Sequence, residues 1–212
     1  MAGGDIHVGI DRAIDAGVKM IELDVRRTAD GMLVVHHGGD PGISTLGARR
    51  SSDVVGPEIP TLEEALSWIG GRVAVNVELK EVGYEDAVVE TCLQYVARDE
   101  LLVTSFLDDA VKAVAALPTT VPRGLIIGRR SSLTRPERLL ADVFPFARVR
   151  DCEADVLVAG RFLDLAGMRC RARRHRVPLI VWTINDPRTL TRALSDPRLL
   201  GVVTDRFDVA RR

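Results

Sequence analysis

Three things are scarce in this chain, and each scarcity removes a class of protein. Cysteine is limited to Cys92, Cys152 and Cys170 in 212 residues. Three scattered thiols cannot build a disulfide framework, and no pair has the spacing of a zinc knuckle, so buried free thiols are expected. Charge of one sign is lacking as well, since 29 Lys and Arg face 30 Asp and Glu for a formal net charge of -1. No global positive field draws the chain to DNA or RNA, and no nucleic-acid partner is expected. Long apolar runs are missing too: none approaches the roughly 20 residues of a membrane span. The N-terminus has no basic segment leading into an apolar core. No stable membrane insertion and a cytoplasmic location are therefore expected.

What is present suits a single globular domain over residues 1–212, with 46% hydrophobic and 28% charged residues and enough length to bury a sizeable core. Strand-length apolar runs alternate with helix-length amphipathic stretches, the pattern of βα units around a parallel sheet. From Asp5 to Ala16, Ile6, Ile10, Ala13 and Ile14 share one helical face and Gly17 marks a stop. Strands are expected near 18–25 and 32–37, joined by a turn through Asp30-Gly31 as a hairpin arm. Thr61-Leu62-Glu63-Glu64 opens a helix with a capping box. Further strands are expected near 73–79, 101–106, 123–127, 155–158, 178–183 and 200–204. No Gly-rich phosphate loop follows the first strand, and polar residues gather at strand C-termini. Both features favour a TIM (β/α)8-type barrel over an open doubly wound sheet. The count is one strand short: seven barrel strands plus the arm.

The polar strand ends carry the chemistry. In Ile21-Glu22-Leu23-Asp24-Val25 the two acids share a strand face, with the apolar residues on the other. In the run 73–80, Val73, Val75, Val77 and Leu79 form one face, and Ala74, Asn76, Glu78 and Lys80 the other. A Glu-x-Asp on a strand also serves plain surface or salt-bridge roles. Glu78 and Lys80 together on an inward face favour a functional reading. Carboxylates from adjacent strand ends suit one hard divalent cation, Ca²⁺ or Mg²⁺. Without a cation they would raise one another's pKa. Lys80 balances part of that charge and is placed to meet a phosphate oxygen.

These motifs continue in order through Leu33-Val34-Val35-His36-His37, Ile59-Pro60-Thr61, Ser105-Phe106, Val181-Trp182-Thr183-Ile184-Asn185-Asp186 and Thr204-Asp205-Arg206. From about residue 6 onward the chain resembles the glycerophosphodiester phosphodiesterases. The resemblance implies a metal-dependent barrel of lipid metabolism that hydrolyses small-molecule glycerophosphodiesters to glycerol 3-phosphate and an alcohol. It implies Glu22, Asp24 and Glu78 as metal ligands, Lys80 as the phosphate-side lysine, His37 in acid/base catalysis, and Trp182 packed against the glycerol carbons. Outside the resemblance, His37 reads as a hydrogen-bonded structural histidine and Trp182 as a barrel-core aromatic.

The family pattern normally begins with a strand ending in His-Arg-Gly and a Pro-Glu-Asn-Thr segment, and neither occurs here. The aspartate after the second histidine is Gly38. His7, on the expected first helix, is a poor substitute for the other histidine. Such a barrel would expose two strand edges. A start codon called too late, a degenerate paralogue and completion by another chain all account for it. The first is the expectation, with in-frame codons about 20 to 30 residues upstream encoding a strand that ends in His-Arg. A homo-oligomer is compatible with the chain.

Three rival readings follow. One is a weak or inactive phosphodiester-binding relative. Another is a lyase or aldolase barrel with a Schiff base on Lys80, which the nearby carboxylates disfavour by holding the amine protonated. The third is a related barrel acting on inositol phospholipids, which the later motifs fit less well. The basic run Arg169 to Arg176 reads most simply as the solvated face and end of a helix, with an anionic membrane contact as the sharper alternative.

Overall fold

A computed structural model describes residues 6–38, 46–128, 136–165 and 167–209. The expected helix start at Asp5, and much of the Gly- and Ser-rich stretch after Gly38, lie outside the described residues.

Among the described residues eight strands form one sheet: β1 Met20–Arg27, β2 Leu33–Val35, β3 Ala74–Leu79, β4 Leu101–Ser105, β5 Arg123–Ile127, β6 Val156–Gly160, β7 Leu179–Trp182 and β8 Gly201–Val202. Their spatial order is β2-β1-β3-β4-β5-β6-β7-β8. Only β2 runs antiparallel, on β1, while every other pair is parallel. Over the described residues this is a (β/α)8-type barrel lacking one strand, with seven parallel strands and a hairpin arm. It stays open between β1 and β8. The arm covers β1 only over Val25–Arg27, so among the described residues Met20–Leu23 has no ladder partner on its outer edge.

Among the described residues nine helices lie outside: α1 Ile6–Asp15, α2 Leu62–Ile69, α3 Glu85–Cys92, α4 Asp108–Ala115, α5 Pro136–Val143, α6 Phe146–Asp151, α7 Arg161–Leu165, α8 Met168–His175 and α9 Pro187–Leu194. The Thr61 capping box is formed as expected: its side chain accepts from the Glu64 backbone N–H, and Glu64 accepts from the Thr61 N–H. Gly70 ends that helix in the left-handed region.

The alternating strand pattern sorts the apolar residues into layers. Val75, Val77, Leu79, Val103, Leu125, Leu157 and Val181 pack under the helices. Leu102, Ile126, Val156 and Val158 fill the barrel interior with Phe106, Ile180 and Trp182. A small cluster of Val34, Leu46 and Ile59 seats the arm. Asp30 fixes the arm's turn by accepting from the Thr28 hydroxyl at 2.6 Å and from the Ser51 hydroxyl and amide at 2.7 and 2.9 Å. These donors hold its carboxyl well below the usual carboxylate range.

One expectation about the thiols is corrected. Cys92 and Cys152 are buried, but Cys170 is exposed, because α8 turns Met168 and Ala172 to the core and Cys170 lies off that face. Burial pushes the Cys92 thiol up to about 12, which keeps it protonated and inert.

Candidate active site

Strand register builds the site. β1 and β3 pair in parallel with Glu22 opposite Asn76 and Asp24 opposite Glu78, so residues with side-chain period two present three acids on one face at the C-terminal end of the sheet. Ligand oxygens of Glu22, Asp24 and Glu78 all lie within 4.8 Å of one another. Lys80, just past β3, points back between two of them. Its Nζ lies 2.6 Å from Asp24 Oδ1 and 2.5 Å from Glu78 Oε1, with only 8% of its side chain exposed. From the arm, His37 Nδ1 reaches Asp24 Oδ2, while the His36 backbone N–H donates to the Asp24 carbonyl at 2.8 Å.

The acids differ in their electrostatics. Burial pushes Asp24 up, but Lys80 and His37 outweigh it and its pKa falls, so Asp24 is a carboxylate. Glu22 is pushed up to about 7, first by the protein crowding its carboxyl and then by the charges of Asp24 and Glu78. Its residue surface is nonetheless open at the sheet edge. Water screens part of the crowding there, and the two neighbouring charges are the cause that persists.

Residues outside the expected set hold these strand ends in place. The Tyr84 hydroxyl, buried in the sheet–helix layer, reaches the Val25 carbonyl and Glu81 Oε2, both at 2.9 Å, and accepts from the Lys80 and Glu81 amides at 3.2 and 3.1 Å. The Ser105 hydroxyl donates to the Leu79 carbonyl at 2.8 Å. Level with Glu22 and Glu78, the Thr104 hydroxyl donates to Asn76 at 3.0 Å. Arg26, one strand repeat beyond Asp24, pairs with Glu81. Period two places Arg26 on the acids' face and was a usable signal; nothing local marks Tyr84.

Trp182 stands farther round the barrel, with β4 to β6 between its strand and β3. Its indole N–H donates to the Ile127 carbonyl at 3.2 Å, and its ring meets Phe106 edge-on at 5.4 Å. Asn185 accepts from the Asp205 amide and the Thr204 hydroxyl and donates to Asp205, which ties the chain after β7 to the chain after β8. His7 lies in the helical layer, stacked on Trp68 at 4.8 Å, and His175 stacks on Phe146.

The donor set fits a hard divalent cation. Oxygens on opposite sides of a Ca²⁺ with bonds of about 2.3–2.6 Å stand about 4.6–5.2 Å apart, and one oxygen from each of the three carboxylates lies within that reach of the others. Lys80 alone does not balance three acids, and the raised Glu22 reports the imbalance.

Residues 9–78 match the model of the glycerophosphoryl diester phosphodiesterase family. The chain is 25% identical to a probable glycerophosphodiester phosphodiesterase 2 of Mycobacterium tuberculosis, across 94% of this chain and 80% of that one. It is 26% identical to an uncharacterized protein of Bacillus subtilis, across 64% of this chain and 65% of that protein's length. A glycerophosphodiester phosphodiesterase from Thermotoga maritima has the same fold, with a TM-score of 0.74 at 23% identity over 96% of this chain and 89% of that one. So does a phosphodiesterase from Oleispira antarctica, with a TM-score of 0.78 at 20% identity over 97% and 88%. The matched segment, about a third of the chain, contains Glu22, Asp24, His37 and Glu78, and over it the chain is similar to the glycerophosphoryl diester phosphodiesterase family, whose solved members share its barrel.

Proposed function

We propose that this chain hydrolyses small glycerophosphodiesters of lipid metabolism to glycerol 3-phosphate and an alcohol, with one Ca²⁺ or Mg²⁺ held by Glu22, Asp24 and Glu78. The observation that carries this reading is the convergence of three carboxylates, Lys80 and His37 at the C-terminal end of a parallel barrel, where such folds keep their active sites. The Oleispira neighbour, which holds the product sn-glycerol-3-phosphate, supports the substrate class.

When bound, the cation supplies charge neutralisation at a phosphoryl oxygen and acidifies a hydroxyl or water. Lys80 has three N–H groups. Two are engaged by Asp24 and Glu78, and the third is available to a phosphate oxygen. Asp24 holds the His37 ring through Nδ1, leaving Nε2 on a largely exposed ring, 84% accessible, to move a proton to or from the entering or leaving oxygen. Trp182 has its polar edge tied to Ile127, so its ring face offers apolar contact to the glycerol carbons.

A second reading, phosphodiester binding without turnover, is favoured by one observation: His7 and His175 are committed to stacks in the helical layer, and His37 is the histidine set against an acid of the cluster. One experiment separates the two. Glycerophosphodiester incubated with Ca²⁺ or Mg²⁺ should release glycerol 3-phosphate, and release should vanish with a chelator and in Glu22→Ala. Saturable substrate binding with no product would establish the second reading.

A further inference from the structure

The outer flank formed by α5 and α8 combines exposed apolar side chains with uncompensated positive charge. Phe144, just after α5, is 61% exposed, and Leu140, whose carbonyl accepts from the Phe144 amide, is 62% exposed. The Arg171 guanidinium lies 5.7 Å from the centre of the Phe144 ring. One helical turn on, His175 stacks on Phe146, the first residue of α6, at 3.8 Å, so α8 is joined to the segment between α5 and α6 by rings and a guanidinium. The arginines of this flank fall into two groups. Arg169 is closed off by Asp164 at 2.5 Å and Asp196 at 2.6 Å. Among the described residues Arg171, Arg173, Arg174 and Arg176 take part in no ion pair, and the last three are exposed.

We propose that this flank docks on an anionic lipid bilayer, with Phe144 and Leu140 entering the headgroup boundary and the exposed Arg173, Arg174 and Arg176 meeting lipid phosphates. Large apolar side chains beside a cluster of arginines match the composition of surfaces that lie in the membrane interface. A nucleic acid would use the arginines but leaves Leu140 and the outer face of Phe144 without a role. A second copy of the chain would set three exposed arginines against three more. The patch lies on the side of the barrel, since α5 follows the C-terminal end of β5 and α8 leads back toward the start of β7. Docking there leaves the mouth of the barrel in water. The inference is independent of the phosphodiesterase reading, because it uses none of that site's residues.

Co-sedimentation of the full chain with vesicles tests it. Vesicles of phosphatidylcholine with one part in three of phosphatidylglycerol should carry the protein down at low salt. They should release it near about 0.5 M NaCl, where charges more than a few ångströms apart are screened. Pure phosphatidylcholine vesicles, and a spin without vesicles, should leave it in solution. Each arginine contributes about fivefold in partition, so Arg173→Glu with Arg174→Glu should weaken binding at least about 25-fold. Phe144→Ser should weaken it severalfold with the salt dependence unchanged. Unaltered melting temperatures would show both variants folded, their side chains being exposed. The proposal is overturned if the wild-type chain stays in solution with anionic vesicles at low salt, if the variants bind as the wild type does, or if binding ignores Phe144→Ser and transfers to duplex DNA.

Discussion

Glu22→Gln tests the electrostatics of the cluster apart from catalysis. In the unfolded chain Glu22 has its ordinary value of 4.5, whereas in the fold it is pushed up to about 7 by burial, Asp24 and Glu78. A raised carboxyl favours the protonated form, so its contribution is fully present below pH 4.5, declines as pH rises from 4.5 to about 7, and is flat above. The shift of about 2.5 units corresponds to at most about 3.4 kcal/mol at 1.36 kcal/mol per unit. The residue surface is open to water, and screening cuts that to about 1 kcal/mol. Glutamine keeps the shape and removes the charge. With chelator present, Glu22→Gln should therefore be more stable than the wild type by about 1 kcal/mol at pH 8, seen as a melting temperature about 2–4 °C higher in a chain of this length, and no more stable at pH 4.5. Saturating Ca²⁺ or Mg²⁺ at pH 8 should reverse the order. A cation at 100 times its dissociation constant adds about 2.7 kcal/mol to the wild type, and the variant, short of one ligand, gains less. A variant that is less stable than the wild type at pH 8 in chelator, or that gains equally at both pH values, would refute the account of a crowded carboxyl awaiting a cation.

Other perturbations probe the supports of the site. Lys80→Met leaves Asp24 and Glu78 without their shared cation; chelator-treated protein should lose about 3–5 kcal/mol in urea titrations, cation affinity by calorimetry should rise, and glycerol 3-phosphate release should fall at least about 100-fold. Tyr84→Phe removes the hydroxyl shared by Val25, Glu81 and the Lys80 amide, and urea denaturation should show a loss of about 1–3 kcal/mol, with cation affinity weakened as the strand ends loosen. Gly160→Ala would set a Cβ 2.8 Å from the Gly128 carbonyl oxygen, a backbone contact that cannot move aside, so destabilisation of about 1–3 kcal/mol is expected by thermal melting with the metal site unaffected.

The parallel strands were legible because each is an apolar run flanked by polar turns, and the observed ends fall close to the expected ones; β8 is shorter than expected, Gly201–Val202 in place of 200–204, since β7 is the strand that pairs with it. The acids and Lys80 were legible from period two alone. Two features were not. The exposure of Glu22 depends on which strand lies beside β1, a non-local property that alternation cannot report. Tyr84 acts on Val25 across 59 residues, and no spacing rule links an aromatic after one strand to the carbonyl of another. Cys170 was misplaced because small sulfur side chains are usually buried, whereas the pitch of α8 turned this one outward.

Gly38 is where the chain departs from the family pattern, and the packing around it bears on how His37 is held. Gly38 has φ of +82°, and a Cβ there would stand 3.0 Å from Arg26 Nη2. An acidic side chain at that position would therefore meet the Arg26 guanidinium from the arm. In this chain the guanidinium is instead met by Glu81, from just beyond β3, whose other oxygen is bonded to Tyr84. The charge partner of Arg26 thus comes from the stretch just past β3, beside Lys80, and not from the arm. The cross-link that results joins β1 to β3, not β1 to the arm, so the arm's end depends on the His36 amide bonded to the Asp24 carbonyl and on His37 against the Asp24 carboxylate. Asp24 thereby serves at once as a site acid, the counter-ion of Lys80 and the anchor of the arm. A loss of Asp24 should then displace His37 as well as the cation, a coupling that removal of Glu22 at the open edge would not produce.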